Sequence, residues 1–174
     1  GGGKLATRVA EAMGISQQMI DGRRITDAET LKVVTMVYAG YINKNIVALL
    51  QSNSCNAIGL SGADGNIIRS HKRGADSAIG AKNIDYGFAG DVDEVNAAAI
   101  QSLLQQNVSL VFSPITHDAK GLLLNTNADT IAQEIAKDMS ALYDVSLIYC
   151  FKKPGVLRDA ADNSTVIPSI NRQT

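Results

Sequence analysis

The sequence predicts an α/β fold in which helices cover both faces of a mainly parallel sheet. Short apolar runs typical of buried strands alternate with longer segments whose apolar residues recur at helical spacing. This alternation favours parallel pairing, because parallel neighbours need a long crossover connection. The 174 residues, 45% of them hydrophobic and 19% charged, are enough to bury a core without disulfides.

Two helices are predicted in the first third of the chain. The first covers Lys4 to Met13. The second begins after Thr26, because Thr26 and Glu29 have the spacing of a capping box. It either continues as one helix or breaks and restarts before Gln51. Its apolar face consists of Leu31, Val34, Tyr38 and Tyr41 or Ile42.

Two strands joined by a tight turn are predicted next. Asn56 to Leu60 is a short apolar run that indicates a buried strand, and Ile67 to His71 indicates a second one. The Asp-Gly pair in the turn between them predicts a β-hairpin. Arg73 to Asn83 is rich in Gly and Ala without a period, which predicts an exposed loop.

The rest of the chain continues the alternation of helices and strands. One helix is predicted from the spacing of Val92, Val95, Ala99 and Leu103. A strand over Val108 to Phe112 and a polar turn over Thr116 to Gly121 follow. A final helix begins after Asn127, and a last strand covers Val145 to Cys150. The apolar face of that final helix consists of Ala128, Ile131, Ala132, Ile135, Met139 and Leu142.

Composition and isolated reactive residues narrow the possible functions. A formal net charge of −1 provides no basic surface for nucleic acid, and no apolar run reaches the roughly 18 residues of a membrane helix. We therefore expect a cytoplasmic protein without nucleic-acid or membrane partners. Cys55 and Cys150 lack zinc-site spacing and are expected to be reduced, buried thiols. His71 and His117 are isolated, so no metal site is predicted.

A polar stretch at residues 125–129 is the strongest local candidate for a functional site. It joins the apolar run Leu122 to Leu124 to the final helix. Asn127 is a suitable N-cap, and Asp129 falls in the first turn, where a carboxylate suits the positive end of the helix dipole. A strand, an amide-rich turn and a helix N-terminus can together position a phosphate or a small anion. The alternative is that these residues only cap the helix.

Further motifs accompany this polar stretch along the chain. In order they are Gly1-Gly2-Gly3-Lys4-Leu5-Ala6, Asp21-Gly22-Arg23-Arg24-Ile25-Thr26-Asp27, Ala39-Gly40-Tyr41-Ile42-Asn43-Lys44, Gly59-Leu60-Ser61-Gly62-Ala63-Asp64-Gly65 and Asn125-x-Asn127-Ala128-Asp129. The ordered set closely resembles the N-acetylglutamate kinases of the amino-acid kinase family, from Gly1 to at least Leu157. The resemblance implies a three-layer αβα sandwich around a mostly parallel sheet. It assigns residues 1–142 to the lobe that binds an N-acylated glutamate and residues 143–174 to the start of the nucleotide lobe.

The resemblance implies that ATP, with Mg²⁺, phosphorylates the side-chain carboxylate of N-acetyl-L-glutamate in arginine biosynthesis, in a homodimeric enzyme. A carboxylate is ionised at neutral pH, so this reaction needs no general base, and its difficulty is the approach of an anion to a polyanion. In the family two lysines neutralise much of this charge. Both are expected in segments outside this chain, which looks cut at both ends, so the isolated segment is expected to be inactive.

The resemblance also assigns individual site residues. It places the backbone of Gly2 and Gly3 against the acylated amino acid. It pairs Arg24 with the α-carboxylate, a role that suits the planar, bidentate guanidinium. Asn125 is expected to hydrogen-bond the substrate, and Asp129 is expected to orient the catalytic lysines.

The nucleotide loop departs from the family pattern, in which an acidic residue commonly follows the strand. The corresponding segment here is Phe151-Lys152-Lys153-Pro154-Gly155-Val156-Leu157. Its candidate nucleotide-binding residues are Lys152, Lys153, Gly155 and Leu157. Both lysines either contact phosphates or are simply solvated.

Several alternatives stay open at this point. The chain could be a non-catalytic amino-acid-binding or regulatory homologue, or a kinase for another N-acylglutamate such as N-succinylglutamate. A Rossmann oxidoreductase is a weak alternative, because Gly1-x-Gly3 does not complete a dinucleotide fingerprint. The three leading glycines could also be an expression scar. Asn43 and Lys44 either support the glycine loops or contact the ligand.

Overall fold

A computed structural model describes residues 2–20, 23–74, 84–150, 153–159 and 161–169. In these ranges α-helices are separated by groups of two or three strands, except that the second and third helices belong to one longer helix. The helices are α1 (Gly3–Ala12), α2 (Ala28–Thr35), α3 (Asn43–Ser52), α4 (Ala97–Leu104) and α5 (Ala128–Met139). The strands are β1 (Gln18–Ile20), β2 (Arg23–Ile25), β3 (Ala57–Leu60), β4 (Ile68–Lys72), β5 (Ala89–Val95), β6 (Ser109–Phe112), β7 (Ile115–His117) and β8 (Leu123–Thr126).

The strands form three separate sets within the described ranges. β1 and β2 are an antiparallel hairpin, whereas β3 and β6 run parallel, from Ala57 opposite Ser109 to Leu60 opposite Phe112. The third set is a closed ring in the order β4–β5–β8–β7, with antiparallel pairs β4·β5 and β7·β8 and parallel pairs β4·β7 and β5·β8. The predicted α/β class with parallel strand pairs is confirmed. Parallel pairs do not outnumber antiparallel ones among the described residues.

One continuous helix of 25 residues, Ala28–Ser52, joins α2 to α3 through a π-helical segment at Met36–Ile42. The predicted possibility of an unbroken helix is thus confirmed. By length and composition alone this helix could cross a membrane, although no unbroken apolar run of that length occurs in it. One side of it packs into a core whose buried members are Ala6, Ala10, Val33, Val34, Val37 and Ile115.

A second core lies between the four-stranded ring and the helices α4 and α5. Its buried members are Ile67, Ile68, Val95, Ile100, Ile131 and Met139. Ile131 and Met139 confirm the predicted apolar face of α5. Leu142 lies beyond the end of α5 and is 45% exposed, so it does not extend that face.

The predicted capping box of α2 is wrong, because Thr26 is engaged elsewhere. The N-cap is Asp27, whose side chain accepts a 2.7 Å hydrogen bond from the backbone N–H of Thr30. Hydrogen bonds from Thr30 lower the pKa of Asp27, because they favour the ionised carboxylate. Thr26 itself is buried and forms a parallel bridge with Gly87.

The predicted hairpin between β3 and β4 is also wrong. The turn contains a 3₁₀ segment at Asp64–Asn66, with Gly65 at φ 59°. The backbone N–H of Ile68 then donates to the carbonyl of Gly62 at 2.9 Å. The chain therefore enters the four-stranded ring instead of returning along β3. An Asp-Gly turn signal is local and does not specify which strand becomes the partner.

Two more predicted elements around α4 and β7 need correction. Val92 and Val95 belong to β5, where pairing with β4 holds them, and α4 begins only at Ala97. Thr116, predicted in a turn, is paired with Leu124 between β7 and β8. The strand predicted over Val108 to Phe112 is confirmed as β6.

The last predicted strand and the predicted thiol burial are not observed. Residues 145–150 form no strand within the described part of the chain. Cys55 is half-buried and Cys150 is exposed, so neither is the buried thiol that was predicted. Most of the loop predicted over Arg73 to Asn83 falls on residues 75–83, which lie outside the described residues.

Candidate functional site

A cavity of about 330 Å³ lies where the start of α1, the π-helical segment, β2, and the ends of β6 and β8 meet. Its size is that of a small-molecule site. Four of the predicted site residues line it, namely Gly2, Gly3, Arg24 and Asn125. Residues more than one hundred positions apart along the chain are thus brought together at one place.

The two glycines at the start of α1 form one wall of this cavity. A Cβ on Gly2 would lie 2.5 Å from Cδ1 of Ile42 and 3.0 Å from the ring of Tyr38, so a larger residue would require these side chains to move. A Cβ on Gly3 would meet nothing within 4 Å, so this position leaves open space beside the backbone. The first amides of a helix lack intrahelical partners and favour anions. This wall therefore suits an anionic ligand.

Arg24 lies in the same wall and is 9% exposed. Its Nη2 donates to the carbonyl of Gly3 at 3.1 Å and to Oγ1 of Thr7 at 3.0 Å, and its Nη1 donates to Oε1 of Gln17. All three acceptors are neutral, and no carboxylate pairs with Arg24 among the described residues. A buried cation is costly unless an anion compensates it. The site is therefore electrostatically prepared for a negatively charged group.

Asn125 is held by a hydrogen-bond network centred on Thr26. Its Nδ2 donates to Oγ1 of Thr26 at 3.0 Å. The backbone of Thr26 accepts from Phe88 at 2.6 Å and donates to Tyr86 at 3.2 Å. The Asn125 side-chain oxygen makes no hydrogen bond within the described ranges, so it can accept one from a ligand in the cavity.

Gly90 allows the close packing behind this network. A Cβ there would lie 2.7 Å from Oγ1 of Thr126 and 2.8 Å from Cβ of Leu124. The Thr126 hydroxyl also bonds Oγ1 of Thr116 at 2.8 Å, with both residues buried. β5 can approach β8 at this point only because Gly90 has no side chain.

Asn43 and Lys44 connect the long helix to the ends of the parallel pair β3·β6. Nδ2 of Asn43 donates to the carbonyl of Val111 at 2.8 Å, and Nζ of Lys44 donates to the carbonyl of Gly59 at 2.8 Å. A Cβ on Gly59 would lie 1.9 Å from Oδ1 of Asn43. These contacts favour the supporting role for both residues. Asn43 also lines the cavity, and its buried Oδ1 has no partner in the described structure.

Sequence reasoning missed several residues of the cavity wall, among them Arg73, Tyr86 and Ser113. Arg73 pairs with Asp91, whose carboxylate accepts from Nε at 3.0 Å and also from Nη2. This hydrogen bonding raises the pKa of Arg73. The Tyr86 ring lies 5.7 Å from the guanidinium carbon. The Tyr86 ring and the ion pair with Asp91 together hold the Arg73 side chain in place. Both contacts depend on the pairing of β4 with β5, which the sequence does not indicate.

Asp129 lies in the first turn of α5 beside this cavity. The predicted N-cap is confirmed, because Oδ1 of Asn127 accepts a 3.0 Å hydrogen bond from the Thr130 backbone. The carboxylate of Asp129 is exposed and has no partner among the described side chains, while its backbone carbonyl accepts from the Tyr149 hydroxyl at 3.5 Å. The helix cap is thus provided by Asn127, which leaves the Asp129 carboxylate available for another role.

The described candidate nucleotide-binding residues, Lys153, Gly155 and Leu157, are not among the residues that line the cavity. Lys152 falls outside the described residues. Lys153 donates to Asn163 at 3.0 Å, and Leu157 forms a bridge with Val166. A Cβ on Gly155 would lie 2.9 Å from the same Val166. The assignment of this loop to nucleotide binding stays a prediction.

The whole chain, residues 1–174, matches the model of the amino acid kinase family. The chain belongs to the amino acid kinase family. A protein from Phocaeicola vulgatus named acetylglutamate kinase is 59% identical over 98% of this chain and 64% of its own length. Proteins of the same name from Cytophaga hutchinsonii and Methanopyrus kandleri are 56% and 40% identical over 100% and 98% of the chain. The chain spans slightly less than two thirds of its first relatives, 64% for the protein from Phocaeicola vulgatus.

Solved structures share the fold of this family member at lower identity. The structure of smu.665 from Streptococcus mutans UA159 has a TM-score of 0.70 at 20% identity, over 79% of this chain and 53% of the other. An N-acetylglutamate synthase from Neisseria gonorrhoeae, complexed with coenzyme A and N-acetyl-glutamate, has a TM-score of 0.60 at 22% identity. It is matched over 82% of this chain and 30% of the other. At these identities the likeness supports the fold alone.

Proposed function

We propose that the whole protein transfers the γ-phosphoryl group of ATP to the side-chain carboxylate of an N-acylated L-glutamate, as a step of arginine biosynthesis. A carboxylate oxygen attacks the γ-phosphorus, a new oxygen–phosphorus bond forms, and the bond to the β-phosphate oxygen breaks. The products are an acyl phosphate and ADP, and no proton needs to be removed from the attacking group. The kinase names of the similar proteins support this proposal.

The observation that supports this substrate best is the buried guanidinium of Arg24 with only neutral protein acceptors. The α-carboxylate of the ligand supplies the missing anion. The free oxygen of Asn125 accepts the N–H of the acylated amino group. With these two contacts made, the glutamate side chain extends along the cavity toward Ala128 and the start of α5. Catalysis then depends on positioning and charge neutralisation.

Asp129 is a positioning residue in this proposal. Its exposed carboxylate borders the place where phosphoryl transfer occurs and orients cationic side chains contributed by the rest of the protein. No three His, Cys, Asp or Glu side chains come together in the described residues, so this part of the chain does not provide a protein cage for Mg²⁺. We assign Mg²⁺ to the nucleotide phosphates, which are its usual ligands in kinases. No step described here depends on a protein-bound metal.

We also propose an architecture, a location and an oligomeric state for the whole protein. The three-layer αβα sandwich, the division near residue 142 and a cytoplasmic location follow from the family resemblance. A homodimer is supported by apolar side chains exposed on the long helix. They are Met36, Tyr41, Ile46 and Leu49, which are 41–66% exposed. Light scattering on the full-length protein tests this, and a monomer at micromolar concentration contradicts it.

Hydroxamate trapping with the full-length protein tests the proposed reaction. ATP with N-acetyl-, N-succinyl- or free L-glutamate is incubated with hydroxylamine, which converts an acyl phosphate into a coloured hydroxamate. Product is expected with an acylated substrate and not with free glutamate. Calorimetric binding of acylated glutamates without product identifies a non-catalytic binding homologue instead.

A further inference from the structure

Arg73, although paired with Asp91, offers the cavity N–H donors that an N-acetylglutamate does not use, an inference that rests on the proposed function. Arg24 and Arg73 both line it, and no carboxylate is among its described lining residues. N-acetyl-L-glutamate has two carboxylates. The first pairs with Arg24, and the second must face the nucleotide beside α5. Arg73 is left without an anionic group on that ligand.

The position of Asn125 indicates which part of the ligand reaches Arg73. Asn125 binds the substrate amide, so the acyl group extends from this point away from Arg24 and from α5. Ala89 lies opposite Asn125 in the β5·β8 ladder. The backbone N–H of Arg73 donates to the carbonyl of Ala89 at 2.8 Å. Arg73 therefore borders the space that the acyl group enters.

Arg73 is held rigidly and keeps donors free. Its ion pair with Asp91 uses Nε and Nη2, and Nη1 makes no hydrogen bond within the described structure. The side chain is 16% exposed, and the buried ring of Tyr86 lies against the guanidinium. A guanidinium has five N–H donors, so it can bind a second carboxylate while keeping the first. Fixing Arg73 beforehand lowers the entropy cost of binding.

We propose that the acyl group of the natural substrate carries its own carboxylate, which Arg73 binds, as in N-succinyl-L-glutamate. An acetyl group ends in a methyl group and leaves the free donors of Arg73 facing solvent. A four-carbon dicarboxylic acyl group places its carboxylate two methylene groups beyond the amide. Arg73 is thus a specificity-determining residue, separate from the residues at the reacting carboxylate.

The test compares kcat/KM of the full-length protein for three substrates, N-succinyl-, N-butyryl- and N-acetyl-L-glutamate. The butyryl group has the succinyl chain with a methyl group in place of the carboxylate. The wild type should prefer N-succinyl- over N-butyryl-L-glutamate by about 10- to 100-fold, the usual effect of one charge-assisted contact. This ratio of the two kcat/KM values is measured on the wild type alone, so it does not depend on whether a variant folds. Equal or better use of the two uncharged acyl groups overturns the inference and leaves the kinase function intact.

Arg73→Ala provides the second arm of the test. It should remove the preference for N-succinyl- over N-butyryl-L-glutamate, so that the two kcat/KM values become similar. Arg69→Ala is the matched control, because Arg69 lies on β4, the strand that Arg73 directly follows, pairs with Glu94 at 2.6 Å and does not line the cavity. It should leave all three values unchanged. An equal loss for all three substrates in Arg73→Ala contradicts the inference, since it indicates a purely structural role. If the full-length protein turns over none of the three substrates, the proposed function itself is wrong.

Discussion

Replacing Arg24 by alanine in the full-length protein should separate ligand binding from fold stability. The side chain is 9% exposed and, among the described residues, donates only to Gly3, Thr7 and Gln17. Under the proposed function, removing it abolishes a charge-assisted contact to the α-carboxylate, worth about 1.5–3 kcal/mol. KM for the acylated amino acid should therefore rise about 10- to 150-fold.

The same variant should change stability much less than binding. Three hydrogen bonds to neutral acceptors are lost, but the cost of burying an uncompensated cation is removed as well. We expect the free energy of unfolding to change by no more than about 1 kcal/mol. Steady-state kinetics in both substrates and a thermal melt check these values, with Arg69→Ala as the control for an exposed arginine. An unchanged KM for the acylated amino acid, or a parallel rise in KM for ATP, refutes the reasoning.

Three further predictions follow from other positions. Asp129→Asn should lower kcat by at least about 100-fold. The melting temperature should not change, because the helix cap is provided by Asn127. A normal kcat in this variant removes Asp129 from the mechanism. Asp27→Asn should be less stable than the wild type at neutral pH, because the hydrogen bonds that lower the pKa of Asp27 favour its ionised carboxylate. In thermal melts from pH 7 to pH 3, the difference in melting temperature should shrink below about pH 4, where the carboxylate becomes protonated. A difference that stays constant with pH contradicts this. Gly90→Ala should lower the free energy of unfolding by about 1–3 kcal/mol through overpacking, whereas Gly40→Ala should not destabilise the protein, because a Cβ there meets nothing within 4 Å. Equal melting temperatures of the two variants contradict this.

Most of the helices were predictable from sequence because their signals are local. The Asn127 cap and the Ile131 and Met139 spacing depend on neighbours within a few turns. Gly2, Gly3, Arg24 and Asn125 were assigned by resemblance, and the structure places all four around one cavity.

The errors concern partners that are distant along the chain. The Asp-Gly turn suggested a hairpin, but β3 pairs with β6 about fifty residues later, and β4 pairs with β5. The Thr26 hydroxyl matched a capping box, yet it accepts from Asn125, which no local pattern indicates. Arg73 went unnoticed for the same reason, because its ion pair with Asp91 exists only after β4 and β5 align.

The most direct test of the account is a ³¹P NMR spectrum of the full-length protein with ATP, Mg²⁺ and an N-acyl-L-glutamate. The account predicts that ATP signals decline while ADP and an acyl phosphate grow in equal amounts, and only when the acylated amino acid is present. An unchanged ATP spectrum with every acylated glutamate, or ADP formed together with inorganic phosphate from the first time point, contradicts phosphoryl transfer to the substrate carboxylate.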